Sequence, residues 1–232
     1  MQSNWRVNLF YPRSWHIVSY PRSGNHLVRA IIEAHSNRPT EGCVGATRDK
    51  PIYKNASNAS GVIEIKSSEP IGYKSHSLHE IHERSRTAGD EELGMVLITR
   101  SPAAAISSHV ARILTNKRKY PWLTKRSKMR VVQDEIDKYL SLVFRYVAHS
   151  ENSKIHARYE DLISKEEREH TVNSITARLA ISSELQDLDA VFSLAKDSQR
   201  SIGNRGAELK QEIAERVQER LSYDDVERYL KE

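Results

Sequence analysis

One short stretch constrains the fold more than any other: Trp15-His-Ile-Val-Ser-Tyr-Pro-Arg-Ser-Gly-Asn-His-Leu-Val-Arg-Ala-Ile-Ile-Glu33. Its first part, His16 to Tyr20, is a compact apolar run of strand length, β-branched in part. Pro21 cannot continue a strand ladder, and Gly24 can take dihedrals closed to other residues. Beyond Gly24 the apolar period changes from two to three and four, so that Leu27, Val28, Ile31 and Ile32 fall on one helical face. The stretch therefore predicts a strand, a tight turn and a helix, with Arg22, Ser23, Gly24 and Asn25 in the turn and His26 just after it.

Such a turn makes an anion site. The first N–H groups of a helix have no intrahelical partner, and the helix dipole places partial positive charge beside them. Gly24 lets the backbone approach a ligand, and Arg22 adds a charged, forked donor. The competing reading is an ordinary strand-to-helix turn with a solvated arginine. The stretch is not the Gly-x-x-x-x-Gly-Lys-Ser/Thr nucleotide loop, because it lacks the lysine and the hydroxyl that would hold magnesium. A phosphate-bearing ligand here has to be held without that metal arrangement.

The remainder of the chain extends the same alternation. A length of 232 residues suits one α/β domain spanning 1–232, and no linker-like stretch argues for two. Strands are expected over Pro70–His76, Met95–Arg100 and Ile155–Tyr159, and Val62–Ile65 reads as a short strand or a helical turn. Helices are expected over Leu78–Thr87, Ala103–Leu114, Lys128–His149, Glu166–Leu179, Leu185–Ala195, Leu209–Leu221 and Asp224–Leu230. Arg38–Ser60 is a long irregular excursion, and Arg118–Ser127 and Gln199–Gly206 read as loops. Strands alternating with helices imply a central parallel sheet covered on both faces, a three-layer αβα sandwich. Ligands in such sheets bind beyond the carboxyl ends of the strands, which gathers Arg22, His76, Arg100 and Tyr159.

Charge and cysteine content narrow the setting. The formal net charge of +5 suits an anionic ligand, and no arginine-rich arm or aromatic-interleaved basic stripe argues for nucleic acid. The single cysteine, Cys43, cannot form an intrachain disulfide, which points to a reducing, cytoplasmic compartment. Met1–Ser14 lacks the apolar core of a signal peptide, and no run approaches the ~20 apolar residues of a membrane helix. The Asn-x-Ser patterns at Asn55 and Asn58 carry no weight without a secretion signal. Oligomeric state is not legible.

Four further segments carry chemistry. In Thr99-Arg-Ser-Pro-Ala-Ala-Ala-Ile-Ser-Ser108, Arg100 leaves a strand as Pro102 opens a helix. Ser108 lies about two turns on by the ~3.6-residue period, and arginine with hydroxyl suits a phosphate. Tyr73-Lys-Ser-His76 ends a strand in a residue whose ordinary pKa suits a general base. His76, His79 and His82 do not share one helical face and have no accompanying cysteine, so no metal site is expected. The last two are Tyr159-Glu-Asp-Leu162 and Arg200-Ser-Ile-Gly-Asn-Arg-Gly206.

Together these segments resemble, in order, the motifs of the sulfotransferases that use 3′-phosphoadenosine 5′-phosphosulfate, over roughly Trp15 to the end of the chain. Tyr20-Pro-Arg-Ser-Gly-Asn25 is similar to the phosphosulfate loop, although Asn25 and His26 stand where the family commonly has hydroxyl residues. Arg100 and Ser108 match the 3′-phosphate ligands in residue and spacing. Lys74-Ser-His76 resembles the segment whose histidine is the catalytic base, with Lys74 placing positive charge near the transferring group. Tyr159 matches a tyrosine near the adenine. Arg200, Gly203, Asn204 and Arg205 lie in a stretch similar to the late glycine loop that closes on the 3′-phosphate. There the arginine is displaced by one, and Glu208-Leu209 replaces the usual Trp-Lys.

The resemblance implies a P-loop-like fold. It implies sulfuryl transfer from that donor, without a metal, to an acceptor hydroxyl of a small molecule, a lipid-linked sugar or another glycan. Two alternatives stay open: a nucleotide-binding module that has lost catalysis, and a phosphoryl-transfer enzyme with a degenerate phosphate loop. His26 and Glu64 are rivals to His76 for the base.

Overall fold

The computed structural model describes residues 14–42, 51–52, 62–88, 93–115, 125–149, 153–181, 187–197 and 207–231. The opening stretch forms β1 (Ser14–Ser19) and α1 (Asn25–Ser36), the strand, turn and helix that its periodicity predicts. Four more strands flank β1: β2 (Thr40–Glu41), β3 (Gly72–Ser75), β4 (Leu93–Thr99) and β5 (Lys154–Arg158). They make one sheet in the order β2-β3-β1-β4-β5, and every pairing is parallel.

β1 lies at the centre, with Val18 opposite Ser75 on one side and Leu97 on the other. Every residue of β4 is buried, as a strand covered on both faces requires. Trp15 pairs with Gly94, and a Cβ at that glycine would lie 2.4 Å from the indole, so only glycine admits the ring there.

The helices divide between the two faces. On one, α1, α6 (Arg168–Arg178) and α7 (Leu188–Asp197) pack over Ile17, Val96, Ile98 and Ile155, together with Leu162 of the short helix α5 (Tyr159–Ile163). On the other lie α2 (Leu78–Ala88), α3 (Pro102–Thr115), α4 (Lys125–Val147), α8 (Ala207–Gln218) and α9 (Tyr223–Lys231), over Val18, Met95 and Leu97. This is the expected three-layer αβα sandwich. Among the described residues, no helix is long and apolar enough to cross a membrane.

The structure departs from the sequence reading in four places. Val62–Ile65 forms no strand, although Ile63 is buried in the core. The excursion after α1 contributes to the sheet: Thr40–Glu41 adds the edge strand β2. The Glu33 carboxylate accepts from the N–H groups of Thr40 at 3.1 Å and Ile52 at 3.0 Å, and Arg29 donates to the Thr40 hydroxyl at 2.7 Å. Arg29 and Glu33 are fully buried, so α1 has no solvated face to oppose its apolar one. Tyr159 opens α5 instead of ending β5. Finally, α4 begins at Lys125, inside the segment read as a basic loop.

Candidate functional site

β1 and β4 are neighbours, yet the helices that follow them lie on opposite faces of the sheet. A crevice opens beyond the carboxyl ends of two such strands, and it is where ligands bind in this class of fold. Arg22 enters it from β1 and Arg100 from β4.

The turn after β1 is built from its own backbone. The Tyr20 carbonyl accepts from Ser23 N–H at 3.2 Å, and Arg22 and Gly24 both take left-handed dihedrals, φ 74° and 93°. The Gly24 carbonyl then accepts from Leu27 N–H at 2.9 Å and starts α1. No side chain caps α1, and its first turn carries no acidic residue. Glycine is required at 24 for two reasons. The dihedral is one, and the Tyr159 ring is the other, because a Cβ would lie 2.3 Å from its Cδ2 atom.

Five expected residues meet here. Arg22 Nε donates to Ser108 Oγ at 3.3 Å, and Arg100 Nη1 donates to the Arg22 carbonyl at 2.9 Å. The Arg100 guanidinium lies over the Tyr159 ring at 4.6 Å from its centroid, and that ring also rests on Gly24. Among the described residues, neither Arg22 nor Arg100 has a carboxylate partner. Burial first, then the charges of Arg112 and Arg100, hold the Arg22 pKa below its ordinary value, with Tyr159 opposing them. A bound anion would relieve the repulsion among these cations.

Arg112 was not anticipated from the sequence. It lies on α3 one turn beyond Ser108, and that spacing of four is the signal that could have found it.

Other loop residues serve the scaffold. The Asn25 amide turns back to β1, donating to the Ile17 carbonyl at 3.2 Å and to Ser19 Oγ at 3.1 Å. Ser23 is fully buried, and its hydroxyl meets no hydrogen-bond partner among the described residues. His26 is half-buried in the first turn of α1. The Tyr20 hydroxyl donates at 2.7 Å to Glu135, a buried carboxylate of α4 that also accepts from Lys138 at 2.6 Å.

His76 follows β3, on the side of β1 away from β4, and meets the end of β1. Its Nδ1 lies 2.6 Å from the carbonyl oxygen of Ser19, the last residue of β1, and 3.3 Å from that residue's hydroxyl. A carbonyl can only accept, so Nδ1 carries the proton and the basic lone pair of the neutral ring is on Nε2. The His76 backbone N–H donates to the Glu80 carboxylate in the first turn of α2. Lys74 is buried on β3 in register with Ile17. Glu64 is exposed and paired with Lys66 at 3.5 Å. His79 and His82 are exposed on α2. Among the described residues, no group of three or more His, Cys, Asp or Glu could hold a metal ion. Arg200, Gly203, Asn204 and Arg205 lie outside the described residues. A separate cleft of about 290 Å³ between α3, α4 and α8, lined by Leu114, Met129, Val132 and Ile213, contains none of these site residues.

No protein-family profile and no curated protein matches the chain. Among solved structures, the sulfotransferase domain from the curacin biosynthetic pathway is similar with a TM-score of 0.53 at 14% identity, covering 95% of this chain and 96% of that one. The sulfotransferase domain from the Synechococcus PCC 7002 olefin synthase gives a TM-score of 0.48 at 14% identity, covering 88% and 93%. Mouse sulfotransferase SULT7A1 complexed with PAP gives 0.48 at 14% identity, covering 83% and 69%. At 14% identity the first of these is a likeness of fold: the chain shares the parallel α/β architecture of the curacin domain over nearly all of both chains.

Proposed function

We propose that the protein is a sulfotransferase that moves a sulfuryl group from 3′-phosphoadenosine 5′-phosphosulfate to a hydroxyl of a small-molecule or glycan acceptor. The observation that carries this reading is the convergence of Arg22 and Arg100, without a carboxylate partner among the described residues, on one crevice with Ser108 and Tyr159. The two arginines suit the two anionic ends of the donor. Arg22 and the head of α1 would face the phosphosulfate, and Arg100 with Ser108 the 3′-phosphate. Tyr159 offers a ring beside the adenine. Arg200, Gly203, Asn204 and Arg205 would close on the 3′-phosphate.

In the transfer step the acceptor oxygen attacks sulfur as the bond from sulfur to the bridging oxygen breaks. The products are the sulfated acceptor and 3′-phosphoadenosine 5′-phosphate. Arg22, with Lys74 adding charge, would stabilise the negative charge that gathers on the bridging oxygen. The acceptor proton would pass to His76 Nε2, the nitrogen left basic by the Ser19 contact. The chemistry asks for no metal. With Gly24 set on the last glycine of a nucleotide loop, Asn25 and His26 stand where that loop has its lysine and its magnesium-binding hydroxyl. The lone Cys43 suits a cytoplasmic setting.

Calorimetry in chelator with 3′-phosphoadenosine 5′-phosphate and with ATP tests the donor. The 3′-phosphorylated ligand should bind more tightly, without magnesium, and equal binding or strict magnesium dependence would refute the assignment. With an acceptor found by screening against labelled donor, His76→Ala should lower turnover about 10²–10⁴-fold and leave nucleotide affinity nearly intact. Normal turnover in that variant beside a dead Glu64→Gln would move the base to Glu64. Nucleotide binding without turnover on a broad acceptor panel would mark a binding module.

A further inference from the structure

The peptide bond between Arg100 and Ser101 is held at both of its polar atoms by side chains from distant elements. The Arg100 carbonyl accepts from the Tyr139 hydroxyl at 2.7 Å, and Ser101 N–H donates to Glu160 Oε1 at 2.9 Å. Tyr139 stands on α4 and Glu160 on α5, 39 and 59 residues along the chain from the groups they hold. Buried backbone groups need partners, but a regular ladder or helix usually supplies them. Here the chain is changing from β4 to α3, and Pro102, the first helical residue, has no N–H to offer. Ser101 already accepts from Ala105 N–H at 2.9 Å and so starts the helix. The plane of the preceding peptide then decides the direction in which the Arg100 side chain leaves.

Both clamping groups are built for this role. Tyr139 is 2% exposed. Burial first, then Tyr223 nearby, push its phenol above the usual range, so it stays a donor throughout the working pH range. Glu160 Oε2 is buried and meets no hydrogen-bond partner among the described residues, and Oε1 accepts from Ser101. The same short helix carries Tyr159, whose ring lies under the Arg100 guanidinium. The guanidinium is thereby fixed from below by the ring, at Nη1 by the Arg22 carbonyl, and at its own backbone by Tyr139 and Glu160.

Resting on the sulfonucleotide reading, we infer that Tyr139 and Glu160 are positioning residues for Arg100, pre-aiming its guanidinium at the 3′-phosphate without touching the ligand.

The test compares two probes on the full chain: 3′-phosphoadenosine 5′-phosphate, and adenosine 5′-phosphate, which lacks the 3′-phosphate. Tyr139→Phe removes only the hydroxyl. Glu160→Ala removes the acceptor, whereas Glu160→Gln keeps an oxygen for Ser101 N–H. Tyr139→Phe should weaken the 3′-phosphorylated probe about 2- to 12-fold, the range for one neutral hydrogen bond, and Glu160→Ala at least as much, because the bond it removes is to a carboxylate. Affinity for adenosine 5′-phosphate should stay within about twofold, the smallest loss that range counts as a bond, and Glu160→Gln should bind both probes as the wild type does. Equal weakening of both probes would make the clamp purely structural and overturn the inference, as would no change in either. A wild-type chain that does not distinguish the probes would overturn the sulfonucleotide reading itself, and that result is visible before any variant is made. Should Tyr139→Phe fail to fold, the Glu160 pair decides alone.

Discussion

Two junctions present an arginine to one crevice, and they are built by opposite means. The turn from β1 to α1 is self-contained. Its left-handed residues are Arg22 and Gly24, its first hydrogen bonds run between Tyr20, Ser23, Gly24 and Leu27, and Asn25 ties the helix back to β1. The turn from β4 to α3 has no left-handed residue, and its polar groups are held by Tyr139 and Glu160 from elsewhere in the chain. The two helix heads differ accordingly. That of α1 has no capping side chain and no acidic residue in its first turn, so its dipole is left for a ligand. At α3, Glu160 already places a carboxylate on Ser101 N–H, so an anion there must be bound by side chains. An arginine can thus be presented by a left-handed local turn or by long-range clamping, and only the first leaves a compact mark in the sequence.

The largest effect should come from breaking the local junction. Gly24→Ala would force a side chain into a left-handed conformation, which costs about 1–2 kcal/mol. It would also drive the new methyl into the Tyr159 ring. Because that ring lies under Arg100, damage at the first junction should spread to the second. Affinity for nucleotides with and without a 3′-phosphate should fall together, by about 10²-fold or more for a displacement on the ångström scale. Thermal unfolding and calorimetry on the same variant separate lost stability from lost binding. A fall confined to the 3′-phosphorylated ligand would mean that the junctions are not coupled through Tyr159.

A smaller and more selective effect should follow from the second junction. Arg100→Ala should weaken a nucleotide carrying a 3′-phosphate by about 1.5–3 kcal/mol, the value of a charged hydrogen bond. The analogue without that phosphate should bind almost as before. Arg22→Ala should weaken both ligands, since each keeps the 5′ end. If Arg100→Ala weakens the two equally, its bond to the Arg22 carbonyl is its main contribution, and the two junctions are a single structural unit.

This asymmetry explains which features could be read in the sequence. The strand, turn and helix of the first junction are contiguous in the chain, so the period change and Gly24 were enough to find them. Arg100 and Ser108 were found by their spacing and their resemblance. Tyr139 and Glu160 were invisible as partners of Arg100, because nothing local marks a tyrosine within a long helix or a glutamate after a strand as a backbone clamp. For the same reason, the burial of Arg29 and Glu33 was missed. They occupy polar positions of an amphipathic helix, and only β2 and Ile52 arriving from the excursion make them interior. Ser23 lies in the turn as expected and Asn25 opens α1 instead, but whether a side chain faces a ligand or its own strand is decided by packing that the sequence does not display.

The smallest effect should be a difference in acid sensitivity between the junctions. Thr99, the residue before Arg100, has its hydroxyl 2.7 Å from His156 Nε2 and 3.0 Å from the Tyr223 hydroxyl. Burial first, and the charge of Arg158 second, lower the His156 pKa to about 4. An unfolded histidine titrates near 6.5, so between these values the unfolded chain binds more protons at this site than the folded one does. Stability therefore rises with pH across that window. The contribution of a neutral His156 is complete above about 6.5 and is lost as pH falls towards 4. Its upper limit is about 3 kcal/mol, because each pH unit between the folded and unfolded values is worth about 1.4 kcal/mol. His109, near the first junction, is also lowered, by burial first. There Glu135 lies 3.8 Å away and opposes the lowering, so its part of the acid limb should be the shallower one. Denaturant unfolding of the free protein from pH 7 to pH 4 would show both. His156→Gln can still hydrogen-bond Thr99 and should flatten the limb more than His109→Gln does. If the two variants flatten it equally, or if the His156→Gln limb keeps its full depth, the second junction is not the more acid-sensitive of the two.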